Sequence, residues 1–423
     1  MTIRNDRLRR LVAVFLTLVI TLTACAPSLL NRTPPTPAIP PGLPKSTQEQ
    51  LSDYNLVVQA IQTKYLDSNL SGTTWQAAVT TYRDRILQGV DNTRFFDALD
   101  GLLSSLHDDD LVVIRPVTST SPSASSNVSG TFSGIGVQVA LPEPNKNRIL
   151  VLKVYAGSPA EAAGIQAHDS ILRVDGQPVK YTDRNNVLSR VRGPSGSQVT
   201  LTIHTPGKAN RDVIVTRAPI TTTSQSIVER LPNTNLAYIL PDLTDAEATP
   251  LDIAQGLRDL SNPQEPDGLI LDLRTIQNGN FPFTGLLELF VNGHVGTLYT
   301  RSGKTPIQIT GKNIAGSQII PMVVLVSDQT RGEAESFAGI LQDLGRAKII
   351  GNRTPGSAPI LLPVSLPNTG AQVLIPAGDI RGVKNVSWYK HGIQPDIVSN
   401  QDWETYTNQN DPILTTAEQA LTR

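Results

Sequence analysis

The chain has 423 residues, 39% of them hydrophobic and 17% charged, with a formal net charge of −1. That length allows two or three domains, and that composition allows buried cores, so a disordered chain is excluded and no basic footprint for nucleic acid is present. A single cysteine excludes an internal disulfide framework and a cysteine-rich zinc module, and five scattered histidines without an HExxH pair argue against a zinc hydrolase. No nucleotide, metal or redox cofactor is indicated.

Arg4, Arg7, Arg9 and Arg10 precede an apolar run at 11–22 that is too short for a comfortable membrane span. Leu22-Thr23-Ala24-Cys25 follows, and it holds the only cysteine in the chain. This tetrapeptide resembles the bacterial lipobox. The resemblance implies a lipoprotein signal peptide at 1–24 and lipidation of Cys25. The protein would then sit in the cell envelope, outside the cytoplasm, anchored to a membrane it does not cross. An ordinary signal peptide is the alternative. Residues 25–45 are dense in proline and predict an extended spacer.

A helical region is expected over 46–116. Ser46 and Glu49 have capping-box spacing, and Leu51, Tyr54, Val58, Ile61 and Tyr65 repeat at helical intervals. Trp75, Val79, Tyr82 and Ile86 mark a second helix; Phe95, Leu99, Leu102 and Leu106 mark a third. Residues 117–130, rich in Ser, Thr, Asn and Pro, read as a linker.

Short strands dominate 131–219. Ile135, Val137, Val139 and Leu141 alternate, as do Leu150, Leu152 and Val154. Val199, Leu201 and Ile203 answer Val213 and Val215 across a Pro-Gly turn. Ser158-Pro159-Ala160-Glu161 opens a short helix, and Asp175-Gly176 is a hairpin turn. Together with Gly134-Ile135-Gly136-Val137 and Ala163-Gly164-Ile165, these segments resemble a bacterial PDZ domain, a small β-barrel. The resemblance implies that a peptide C-terminus adds to a sheet edge and that backbone N–H groups near Gly134, Ile135, Gly136 and Val137 receive its carboxylate. A helix over about 182–192 would wall the groove with Val187, Leu188 and Val191; the same residues suit a core equally well.

Residues 220–423 alternate strands and helices, as an α/β sheet requires. Thr249-Pro250 opens a helix bearing Ile253, Leu257 and Leu260. Buried parallel strands are expected at 268–273, 322–326 and 348–350, with helices at 285–291 and through Ala334, Phe337, Ala338, Leu341 and Leu344. GLILDLR at 268–274, RGEAESFAGILQDLGRAKIIGNRTPGS at 331–357 and HGIQPDIV at 391–398 resemble the carboxy-terminal processing (tail-specific) serine peptidases. The fold so implied is a multidomain α+β chain: a helical N-terminal region, a PDZ insert and a ClpP/crotonase-like α/β core. The family implies a Ser–Lys dyad, or at times a His-assisted serine, that cuts exported proteins near nonpolar C-termini.

The matching catalytic positions have changed. Gly332 stands in the nucleophile's place, Ser357 in that of the lysine base, and Asp110 where a histidine can fall. A glycine has no side chain to attack a carbonyl, and serine is no substitute for a desolvated lysine. The Asp-Leu-Arg-Asn-Asn-Pro-Gly-Gly turn of the family reads Asp272-Leu-Arg-Thr-Ile-Gln-Asn-Gly279. Ser336, one helical turn past Gly332, is the fallback nucleophile, and Ser327 follows a buried strand. His107 reads as a helix end, His391 as structural, and Asp108, Asp109 and Asp110 as a solvated turn. The leading expectation is an inactive relative that binds C-terminal tails of exported proteins or pairs with an active peptidase. The alternatives are an active serine peptidase with a relocated nucleophile, and a scaffold whose groove is filled by its own chain.

Overall fold

The computed structural model describes residues 38–423, apart from 68–69, 71–72, 117–131, 141–145, 182–183, 221–225, 278–280, 358, 400 and 423. The expected signal peptide, Cys25, most of the spacer and the 117–130 linker lie outside the described residues, as do Leu141 and the Asn278-Gly279 end of the turn. No helix among the described residues is long and apolar enough to cross a membrane.

Three helices open the fold: α1 (Lys45–Lys64), α2 (Thr73–Leu87) and α3 (Asn92–Ser104). Their predicted apolar stripes are buried, with Tyr82 half-buried. The capping box expected at Ser46 does not form. Pro44 takes the N-cap position, its carbonyl accepts the Gln48 N–H at 3.0 Å, and the helix begins one residue before Ser46. Proline is tolerated there because that position donates no helical hydrogen bond. The α3 cap is a side chain: Asp91 accepts the Arg94 N–H at 2.8 Å. The layer closes on Leu366, Val373 and Ile375 from the far end of the chain. Each fully buried Leu or Phe there contributes about 1.5–3 kcal/mol.

Asp108 fastens this layer to the core. Its side chain is 3% exposed and accepts the Tyr65 hydroxyl at 2.7 Å and the Tyr389 hydroxyl, with Lys390 Nζ at 3.8 Å. Burial, and then the bonded Asp108 carboxylate, push both phenols far above their usual range. Asp108→Ala strands two buried hydroxyls and is expected to cost about 2–4 kcal/mol in urea unfolding. Asp109→Ala, on the exposed side of the turn, should stay within about 0.5 kcal/mol of the parent.

The middle domain is an antiparallel sheet in the order Val137–Ala140, Ile149–Val154, Ser170–Val174, Gln198–His204, Arg211–Thr216. Val199 pairs with Val215 and Leu201 with Val213, as the alternation requires. Ser158 caps α4 (Pro159–Ala162), accepting the Glu161 N–H at 3.2 Å, while Glu161 accepts the Gly157 N–H at 2.6 Å. Asp175 and Gly176 both have positive φ, as the tight hairpin demands. Ile149 and Val151 face the domain core, and so do Val187 and Val191 of α5 (Arg184–Val191). Leu150 and Leu152 point the other way, onto Trp403 of the C-terminal segment.

That segment clasps the PDZ domain to the core. His168 stacks on Trp403 with ring centroids 3.8 Å apart; its Nδ1 lies 2.6 Å from the Trp403 carbonyl and its Nε2 2.8 Å from Asn408 Oδ1. Trp403 Nε1 donates to the Val151 carbonyl at 3.0 Å, and Arg148 pairs with Glu404. Burial holds the His168 imidazole below its usual range.

The core sheet runs Ile227–Arg230, Leu236–Leu240, Gly268–Asp272, Met322–Val326, Lys348–Gly351, Ile397–Val398, with only the first pair antiparallel. Both faces are covered. Leu269, Leu271, Val324 and Val326 pack under α6 (Thr249–Leu260), α7 (Phe283–Phe290) and α8 (Glu333–Asp343). Ile270, Val323, Leu325 and Ile350 pack on the opposite face with Ile413 and Ala417 of α9 (Pro412–Thr422). A second, antiparallel sheet is built on the long strand Ala371–Gly382, which pairs with Val112–Ile114, Gly293–Thr300 and Ile360–Leu366.

Candidate functional site

The Met322–Val326 strand feeds a turn at 327–332 that opens α8. Side chains hold the turn from below. Ser327 donates to the Arg274 carbonyl at 2.6 Å and accepts the Gln329 N–H at 2.9 Å; Thr330 donates to the Leu273 carbonyl at 2.9 Å. Arg331 N donates to the Ile276 carbonyl at 3.1 Å. Gly332 ends the turn at φ 64°, ψ −124°. The backbone is bent sharply at this strand-to-helix corner, and the residue at the bend carries no side chain.

Glu335 ties this corner to the loop that carries Ser357. Its Oε2 accepts the Gly332 N–H at 3.2 Å and the Ser357 N–H at 2.8 Å, and its Oε1 accepts the Gly356 N–H at 2.7 Å. Gly332 and Ser357 thus meet across one carboxylate oxygen, although 25 positions apart in the chain. Burial raises the Glu335 carboxyl despite these hydrogen bonds and one from Thr354. His391 sits at the back of the same loop, its carbonyl held by Arg353, in a turn whose Ile393 N–H donates to Thr354 Oγ1 at 2.7 Å.

The other expected residues fall as follows. Ser336 is buried on α8, its N–H donating to the Gly332 carbonyl at 3.2 Å. The hydroxyl of Ser327 is committed to the turn. His107 closes α3 at φ 52°, exposed, and Asp110 lies in the turn whose N–H Asp108 accepts at 3.1 Å. Glu333 carries a signal that the sequence reading missed. It is half-buried, burial pushes its carboxyl up to about 7, and no hydrogen bond or ion pair to a described residue offsets that. It borders an open cleft of about 520 Å³ lined by Glu247, Pro250, Phe281, Pro282 and Phe283.

In the PDZ domain, Gly134 pairs with Ala218 at the neck, and Ile135 is buried with its carbonyl accepting the Ala160 N–H at 2.8 Å. Gly136 has φ 80°, and a Cβ there would lie 2.3 Å from Ser158 Cβ, so the corner admits only glycine. Val137 begins the strand Val137–Ala140, an edge whose only described partner is Ile149–Val154. Gln138 on that edge donates to the Thr275 carbonyl at 3.0 Å. Of the expected groove wall, Val187 and Val191 are 0% and 5% exposed and belong to the domain core; Leu188 alone remains half-buried. Helical spacing selects an apolar face without saying which side is covered.

Comparison with known proteins bears on the same two regions. The family model of peptidase family S41 matches residues 235–399, and a PDZ domain model matches 150–204. A carboxyl-terminal-processing protease of Picosynechococcus sp. is 30% identical over 365 residues, covering 83% of this chain and 84% of the relative. Its counterpart in Synechocystis sp. is 28% identical over 378 residues, covering 86% and 84%. Among solved structures, a photosystem II D1 C-terminal processing protease superposes with a TM-score of 0.60 at 24% identity, covering 85% of this chain and 94% of the other. A likeness at that identity speaks for the fold, and the 30% identical relative, matched over 84% of its length, speaks for the family. With the α/β core, the PDZ insert and the strand-to-helix corner in place, the chain belongs to the carboxyl-terminal-processing proteases of peptidase family S41.

Proposed function

We propose that this chain is a non-catalytic member of its family, anchored outside the cytoplasm through lipidated Cys25, that binds the C-terminal tails of exported proteins. The observation that carries the reading is the corner at Gly332: it keeps its bend and its Glu335 bridge to the 354–357 loop, yet offers a glycine and a serine where a nucleophile and a base belong. The edge strand Val137–Ala140 supplies a surface for peptide strand addition. Holding tails without cutting them suits a protein that presents or shields substrates, alone or beside an active peptidase.

A second reading is an active peptidase with a moved nucleophile. It is favoured by Ser336 and Glu333, a hydroxyl within one turn of the corner and a carboxyl whose protonation changes near neutral pH. A serine-directed fluorophosphonate probe separates the two, with an active family member labelled in parallel. The non-catalytic reading expects no adduct on this chain and no cleavage of a test protein with a nonpolar tail. An adduct on Ser336, together with cleavage lost in Ser336→Ala, would establish the second.

A further inference from the structure

We propose that the cleft bordered by Glu333 and Glu247 receives the cationic side chain of a lysine or arginine in a bound peptide tail. The inference rests on the tail-binding reading and gives it a sequence preference. The cleft lies beside the Gly332 corner, between the start of α6 and the residues that open α7. Its volume of about 520 Å³ suits a side chain with its flanking backbone.

Its chemistry selects a cation with an apolar stem. Phe281, Pro282, Phe283 and Pro250 make apolar walls for methylene groups. The two charged side chains on the lining are both carboxylates, and neither has a hydrogen bond or ion pair to a described residue. Glu335, two positions along, shows the contrast: it is met by N–H donors on both oxygens. A half-buried carboxylate with no internal partner loses hydration and gains nothing in exchange until a positive group arrives. Desolvation of Glu333 is visible in its carboxyl, raised to about 7.

The amino ends of α6 and α8 border the cleft, and helix amino ends attract anions. Carboxylates already take N–H groups just ahead of both helices. Asp245 accepts the Glu247 and Ala248 N–H groups, each at 3.1 Å, and Glu335 accepts that of Gly332. The side-chain charge on the lining is negative, from Glu247 and Glu333.

The test uses the full chain and two fluorescent peptides that share a nonpolar C-terminus, one with lysine a few residues upstream and one with norleucine in its place. The lysine peptide is expected to bind about tenfold tighter. Glu333→Gln, shown folded by near-ultraviolet circular dichroism, should remove most of that advantage. A zero-length carbodiimide cross-linker should join the peptide ammonium to Glu333 or Glu247, read by mass spectrometry. Equal binding of the two peptides, or an advantage that survives Glu333→Gln, overturns the cleft assignment and leaves tail binding standing. Binding of neither peptide overturns both. Cross-links confined to other carboxylates also overturn it.

Discussion

Glu335→Ala is expected to lower the stability of the fold by about 3–5 kcal/mol and to free the 354–357 loop from α8. The Glu335 side chain is among the most enclosed polar groups in the core, at 1% exposure. Its two oxygens accept the N–H groups of Gly332, Gly356 and Ser357 at 2.7–3.2 Å, and Thr354 adds a side-chain hydrogen bond. Removing the carboxylate strands these donors where water reaches them poorly, at about 1–3 kcal/mol for each that stays unpaired. Glu335→Gln is the sharper variant. An amide keeps the volume but turns an N–H₂ toward backbone donors, so it should lose nearly as much as alanine. Urea unfolding gives the stability, and hydrogen exchange at Gly356 and Ser357 reports the loop. A loss below about 1 kcal/mol in both variants, with exchange unchanged, would mean that the bridge is incidental. The structural consequence is specific: the Gly332 corner and the 354–357 loop are held in register by the carboxylate of Glu335.

The buried strands Gly268–Asp272, Met322–Val326 and Lys348–Gly351 were legible because a parallel strand covered on both faces is a continuous apolar run. The PDZ turns were legible because Ser-Pro and Asp-Gly act through local chemistry. The same continuity hid the facing of Ile149–Val154, where both sides are apolar because one meets the domain core and the other meets Trp403. The antiparallel sheet escaped notice because its central strand, Ala371–Gly382, carries Pro376, Gly378, Asp379 and Arg381 and is buried only in parts. At the site, Glu335 could be seen as a family marker. Its role as a bracket could not, since two of its backbone donors come from a loop some twenty residues away. The stacking of His168 on Trp403 joins residues 235 positions apart, beyond any local pattern. That the Gly332 and Ser357 N–H groups converge on one carboxylate oxygen required the fold.

Arg274→Met should cost about 3–5 kcal/mol near pH 7, and the loss should shrink as the pH falls toward 4. Arg274 is 3% exposed, at the end of the central strand. Its Nε and NH2 hold Asp272 at 3.0 and 2.6 Å, its NH1 lies 2.7 Å from Asp411, and its guanidinium carbon lies 5.6 Å from the Trp403 ring. Asp411 in turn caps α9, accepting the Ile413 and Leu414 N–H groups at 2.9 and 3.0 Å. The side chain therefore links the strand, the last helix and the segment that clasps the PDZ domain. Burial alone would raise the Asp272 carboxyl, but the adjacent guanidinium outweighs it and holds the group below its usual range. A depressed folded pKa gives stability that is present above about pH 4, where the unfolded carboxyl ionises, and is lost as the pH falls through the folded value. In Arg274→Met the sign reverses: the uncompensated carboxyl has a raised folded pKa, its penalty is greatest at neutral pH, and protonation relieves it. Between pH 7 and pH 4 the parent should thus keep this contribution while the variant gains, so the two unfolding curves should converge; below about pH 4 the parent loses it as well. Adding Asp272→Asn and Asp411→Asn to Arg274→Met should recover much of the loss at pH 7 and flatten the pH dependence. Parallel curves from pH 7 to pH 4 would mean that the guanidinium acts through packing on Trp403 and not through charge.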